Sequence, residues 1–136
     1  MSKKSQYIST NHSKHYLKAH IIIVTKYRKP LLRGTLNANL KTIFKSIEQS
    51  SDFSIEVLES DLDHIHFLIR YIPRLSISQI VRRLKQQSTY QLWQKHSVSL
   101  AKQYWLNKTF WSSGYFACSI GEASPATIRQ YILSQG

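Results

Sequence analysis

The chain has 136 residues, 42% hydrophobic and 12% aromatic, enough apolar material for one packed core and unlike the composition of a disordered tail. Its 19 Lys and Arg against 7 Asp and Glu give a formal net charge of +12, which points to a polyanionic partner, nucleic acid before a membrane surface, because neutralising phosphates releases counterions. The single cysteine, Cys118, excludes an intrachain disulfide and a multi-cysteine zinc site. No apolar run approaches the roughly 20 residues of a membrane span. The opening MSKKSQYISTNHSK has no signal-peptide core, so a cytoplasmic location is expected.

One domain over residues 1–136 is expected, with residues 1–15 flexible. YLKAHIIIVTKYR, from Tyr16 to Arg28, carries a β-branched run and predicts a central strand buried on both faces. TLNANLKTIFKSIEQS then spaces Leu36, Leu40, Ile43, Phe44 and Ile47 as a helix does, with Thr35 as N-cap. DFSIEVLES alternates Phe53, Ile55 and Val57 with polar residues, and DHIHFLIRY follows it after a short turn, which predicts a hairpin. From Ser76, SISQIVRRLKQQSTYQLWQKH predicts a second, basic helix with Ile77, Ile80, Val81, Leu84 and Leu92 on one face. The irregular SVSLAKQYWLNKTFW leads to SSGYFACSIG, a last strand. SPATIRQYILSQ closes the chain as a helix with Ser124 as N-cap and Pro125 in its first turn.

The order β-α-β-β-α-β is that of an α+β, ferredoxin-like (RRM-like) antiparallel sheet with helices on one face, plus a C-terminal helix; strands one and three form its central pair. The fold alone settles no function.

Chemistry enters at DLDHIHFLI. Alternate strand residues share a face, so His64, His66, Leu68 and Arg70 lie on one side and Ile65, Phe67, Ile69 and Tyr71 on the other. Two imidazoles side by side suit a metal ion, although such a pair can also merely decorate a sheet. In the last helix Thr127, Tyr131 and Gln135 form one stripe, flanked by Ile128 and Ile132. Tyr131 either anchors that helix or, beside a positive charge able to activate a phenol of ordinary pKa about 10, serves as a nucleophile.

Four blocks in this order, HIIIVTKYRKPLL, DHIHFLIRYIPRLSISQIVRRLKQQS, FWSSGYFACSIG and ATIRQYILSQ, resemble the single-tyrosine HUH transposases of IS200-like insertion sequences, which move as single-stranded DNA. The resemblance runs from about Tyr16 to Gln135. It implies that His64, His66 and Gln135 hold a divalent ion, Mg or Mn, and that Tyr131 attacks the scissile phosphate to form a 5′-phosphotyrosine. It also implies a homodimer, in which the tyrosine helix of one subunit can complete the metal site of the other, acting on the hairpin ends of the element.

Candidate phosphate contacts are Lys26, Arg28, Lys29 and Arg33 after strand one, and Arg70, Arg74, Arg82, Arg83 and Lys85 around strand three and helix two. Tyr27, Trp105, Phe110, Trp111, Tyr115 and Phe116 add aromatic surface for stacking unpaired bases, with a share of them serving the core. Two other readings stand beside this one: a relative that processes repeated hairpins of its host genome, and an RRM-like binding module without catalysis.

Overall fold

The computed structural model describes residues 8–10, 13–15, 17–119 and 125–135. Two short strands, β1 (Ile8–Thr10) and β2 (Ser13–His15), pair antiparallel within the leader that the sequence leaves without an element. The main sheet has four antiparallel strands in the order β4-β5-β3-β6: β3 (Leu17–Val24), β4 (Ser54–Ser60), β5 (His64–Tyr71) and β6 (Phe116–Ser119). The predicted central pair is β3 and β5, in register along their whole length from Leu17 opposite Tyr71 to Val24 opposite His64.

Helices α1 (Gly34–Gln49) and α2 (Ile77–Gln103) cover one face of this sheet. Ile21, Ile23, Ile65, Phe67 and Ile69 are fully buried there against Leu40, Phe44, Ile47, Ile80, Leu84 and Leu92. Phe44 meets Phe67 edge to face, ring centroids 4.9 Å apart. Full burial of such a side chain contributes about 1.5 to 3 kcal/mol. Ser76 caps α2 in a capping box with Gln79, each side chain bonded to the other residue's backbone N–H.

Four expectations change. Strand β3 stops at Val24, and Lys26–Arg28 form a single 3-10 turn in which Tyr27 (φ 62°) and Arg28 (φ 50°) both occupy the left-handed region. Each costs on the order of 1 to 2 kcal/mol there. Thr35 does not cap α1: the cap position lies two residues earlier, at Arg33, with no side-chain cap bond, and the helix opens on Gly34, which turns the chain at φ +60°. In β4 a bulge between Ile55 and Val57 shifts the alternation by one, so Leu58, opposite Phe67, packs on the core, and Val57, opposite Leu68, moves to the outer face. The stretch after His96 is helical as far as Gln103. The helix kinks at His96 (φ −128°, ψ 30°), where Asn39 Nδ2 of α1 donates to His96 Nε2, and then continues.

The other face of the sheet carries His64, His66, Leu68 and Arg70 of β5, with Val24, Ile22, His20 and Lys18 opposite them on β3. Phe116 and Cys118 of β6 lie opposite Ile22 and His20. A C-terminal helix, α3 (Pro125–Ser134), brings Tyr131 against Phe116. The cap assigned to Ser124 and the side chains of Thr127 and Ile128 lie outside the described residues.

Candidate active site

One row of residues crosses the sheet: Glu59 on β4, His66 on β5, Ile22 on β3 and Phe116 on β6. The ring of Tyr131 lies 5.9 Å from that of Phe116. His66 and Phe116 are two strand spacings apart, roughly 10 Å. The histidine pair and the tyrosine thus occupy the same face of one sheet, from elements more than 60 residues apart in the chain.

The two histidines are held differently. His64 Nδ1 lies 2.9 Å from Asp63 Oδ1 and donates to it, which leaves Nε2 with its lone pair. His66 Nε2 is 2.8 Å from His20 Nδ1. The planes of those two rings are only 18° apart, and their nitrogens are closer than the about 3.5 Å of non-bonded contact, so the rings meet edge to edge in an N–H···N bond and do not stack. Burial lowers the His66 pKa below its ordinary 6.5; the neighbouring His20 and His64 lower it further, and Glu59 opposes them. His66 is therefore neutral, the form that binds metals. His20 was not singled out in the sequence. Its only signal there is a lone histidine at the polar-facing position before the isoleucine run.

At the end of β3 the backbone ties the site together. Thr25 N–H donates to Asp63 O, and Ser112 N–H donates to Val24 O, directly beside His64. Ser112 Oγ in turn donates to Gln135 Oε1 at 3.1 Å. Gly114 makes room for the helix: a Cβ there would stand 3.3 Å from Tyr131 Oη and 3.6 Å from Gln135 Oε1. The Tyr131 hydroxyl is buried without a hydrogen-bond partner among the described residues, and burial pushes its pKa up to about 12. Such a phenol stays protonated until a substrate or cation reaches it.

Two imidazoles and an amide oxygen suit a divalent ion chemically. His64 offers Nε2, His66 offers the Nδ1 left free by its bond to His20, and Gln135 keeps a second lone pair on Oε1. Among the described residues no three His, Cys, Asp or Glu side chains form a ready ligand group. The amide oxygen of Gln135, the further ligand that the family resemblance implies, lies outside those residue types.

The basic residues separate into two groups. Lys85 turns inward, its ammonium donating to Ser112 O at 2.8 Å and Gly114 O at 2.6 Å, and burial lowers its pKa. It pins the loop on which Tyr131 and Gln135 rest. Arg83 donates to Ser51 Oγ and to Ser50 O and Oγ, closing the end of α1. Both are candidate DNA contacts by sequence, and in this structure both bond the fold's own oxygens. Arg70 pairs with Glu56 at 3.2 Å, which also binds Lys18, and Arg74 pairs with Asp52. Lys26, Arg28 and Lys29 cluster in the turn after β3, Lys29 donating to Gln103 Oε1, while Arg33 and Arg82 are exposed. Of the aromatics, Phe110 and Trp111 are core residues, with Trp111 Nε1 donating to Ser88 Oγ. Tyr27 and Trp105 are exposed.

Comparison with known proteins bears on the family and the fold. The family model "Transposase IS200 like" matches residues 13–135. The transposase for insertion sequence element IS200 of Salmonella typhimurium is 28% identical over 127 residues, covering 93% of this chain and 82% of that protein. The ISDra2 transposase TnpA of Deinococcus radiodurans is 29% identical over 119 residues, covering 88% and 84%. A crystal structure of a transposase candidate from Deinococcus radiodurans R1 superposes with a TM-score of 0.80 at 27% identity, over 99% of this chain and 98% of the other. A REP-associated tyrosine transposase bound to a REP hairpin shares the fold, with a TM-score of 0.55 at 16% identity over 97% of this chain and 68% of that one. Among the described residues no helix is long and apolar enough to cross a membrane.

Proposed function

Since the chain belongs to the IS200-like transposase family, whose chemistry is DNA cleavage and strand transfer, we propose that it cuts and rejoins single-stranded DNA at the hairpin ends of an insertion sequence, with Tyr131 as nucleophile. The observation that carries this reading is the shared sheet face of His64, His66 and the Tyr131 helix.

The Tyr131 oxygen attacks the scissile phosphorus. The phenol gives up its proton, a P–O bond forms to the tyrosine, the bond to the 3′ oxygen breaks, and a free 3′-hydroxyl and a 5′-phosphotyrosine result. Rejoining is the reverse attack by a 3′-hydroxyl, so the phosphotyrosine bond conserves the energy and no nucleotide cofactor is required. His64, His66 and Gln135 would hold a divalent ion, Mg or Mn, which supplies Lewis-acid stabilisation of the phosphate oxygens. Asp63 and His20 orient the two imidazoles through their second nitrogens. Lys85 and Gly114 fix the surface on which the tyrosine helix sits. Lys26, Arg28, Lys29, Arg33, Arg74 and Arg82 supply positive charge for the DNA backbone, and Arg70, bound to Glu56, adds to the field of the site face. The reading includes a homodimer working inside the cell, in which, as the family resemblance implies, the tyrosine helix can serve its own subunit's site or complete the partner's.

Purified protein is incubated with labelled single strands from the flanks of its own gene, with Mg or Mn, and resolved on a denaturing gel. A metal-dependent covalent adduct is expected with the native chain. Tyr131→Phe should bind the DNA and form none. Cleavage retained by that variant would sink the assignment of the nucleophile.

A further inference from the structure

Beside the end of the sheet where Val24 of β3 lies opposite His64 of β5, a cleft of about 540 Å³ opens between the Lys26–Arg28 turn and the segment after α2. Its walls include Tyr27 and Trp105, which are 63% and 76% exposed, with Tyr90 the most open aromatic side chains among the described residues. Neither ring is needed by the core. Tyr104, between them in the wall, is the structural member: it is buried and donates from its hydroxyl to Lys26 O at 2.9 Å. Tyr27 leans on Tyr104 with centroids 6.4 Å apart, has the Lys26 ammonium over its ring at 5.5 Å, and is still largely open to solvent.

Three lysines, Lys26, Lys29 and Lys108, stand around the cleft, and Asn107 offers an amide. Tyr27 is held out in a left-handed conformation that a bulky residue seldom adopts, and Arg28 follows in the same region. Strain kept at an exposed tyrosine and the half-buried arginine after it points to a function for the turn, because the tyrosine ring gains no core packing from it. Cationic rims around exposed rings are the two elements of single-strand binding: a charge that follows phosphates and faces on which bases stack. A second copy of this chain would bring a +12 molecule against three lysines, so charge disfavours it as the occupant.

We propose that the cleft between Tyr27 and Trp105 is a stacking site for one unpaired nucleotide of the DNA strand being cut. It rests on the single-stranded DNA reading above and deepens it. The turn that bears Tyr27 follows Thr25, whose N–H donates to Asp63 O, so the nucleotide site and the histidines share one end of the sheet. A strand threaded over that end passes both.

The test uses the full chain carrying Tyr131→Phe, so that DNA is bound and not consumed, with a short oligothymidylate. Trp93 and Trp111 are buried and Trp105 is exposed, so quenching of tryptophan emission reports on the cleft. Binding should quench that emission, and Trp105→Ala should weaken affinity about 5- to 100-fold without changing its salt dependence. Tyr27→Gly, which removes the ring and suits the left-handed backbone, should do the same. Lys108→Ala should flatten the salt dependence by about one counterion. Full affinity in both ring variants, or an unquenched Trp105 in a protein that still binds the oligonucleotide, overturns the cleft and leaves the DNA reading standing. Ring variants that change subunit mass in sedimentation and spare DNA affinity overturn it in favour of a contact between copies. A parent protein that binds no single strand fails the DNA reading itself.

Discussion

His20 Nδ1 lies 2.8 Å from His66 Nε2, in the plane of both rings, so the second histidine of the pair is oriented by a residue on the neighbouring central strand. His64 has the same arrangement with Asp63 on its Nδ1. Each imidazole has one nitrogen bound by the protein and one free, the pattern by which metal-ligating histidines are held.

Removing the His20 acceptor should therefore weaken metal binding. His20→Leu is expected to lower Mn affinity about 10- to 100-fold, read from the free-ion electron paramagnetic resonance signal, and His20→Gln, whose amide oxygen still accepts, should recover most of it. Equal affinity in His20→Leu and the native chain would show that His66 needs no such partner.

The buried Tyr131 phenol sets a pH dependence. Its pKa is pushed up to about 12 by burial, above the ordinary 10, so docking of the neutral phenol is fully stabilising below pH 10 and is lost as pH rises through about 12. At neutral pH no tyrosinate is stored in advance. Adduct formation under single-turnover conditions should keep rising between about pH 7 and 9, and a plateau within that window would mean that the phenol is already ionised.

Gly114 is small because the tyrosine helix is close. Its backbone is outside the left-handed region, so alanine fits the chain, but the new Cβ would stand 3.3 Å from Tyr131 Oη. The hydroxyl must shift by a few tenths of an ångström. Gly114→Ala should slow adduct formation by about tenfold and leave single-strand affinity unchanged. Native rates would show that α3 adjusts freely over the loop.

Lys85 ties α2 to the carbonyls of Ser112 and Gly114. Lys85→Met keeps the stem and removes both bonds, leaving two acceptors unpaired. A loss of about 1 to 3 kcal/mol in stability is expected, seen as a melting temperature lower by several degrees, together with reduced adduct formation. A variant that loses DNA affinity at undiminished stability would place the ammonium on the DNA after all.

Periodicity carried most of the fold. The β-branched run Ile21–Val24 marked a strand buried on both faces, the spacing of Leu40, Ile43, Phe44 and Ile47 marked α1, and the alternation of His64-Ile65-His66-Phe67 marked which side chains meet helices and which do not. Burial imposes these patterns residue by residue, so they can be read locally. The bulge at Ile55/Val57 was not legible because one extra residue leaves the composition of a strand unchanged and only its partner reveals the slip. The helix beyond His96 was hidden for a similar reason: its kink is made by Asn39, 57 residues away.

By itself, the sequence determined the βαββαβ order, the face on which His64 and His66 lie, and the tyrosine-bearing helix, all consequences of spacing within one element. Tertiary structure alone decided that His20 closes on His66, that Lys85 and Arg83 serve carbonyls and hydroxyls of the fold, and that Tyr27 and Trp105 line one cleft. Each of these depends on a contact between segments distant in the chain. A hydrogen bond or a cleft wall is set by where two backbones are brought together, and no local pattern of residues records that distance.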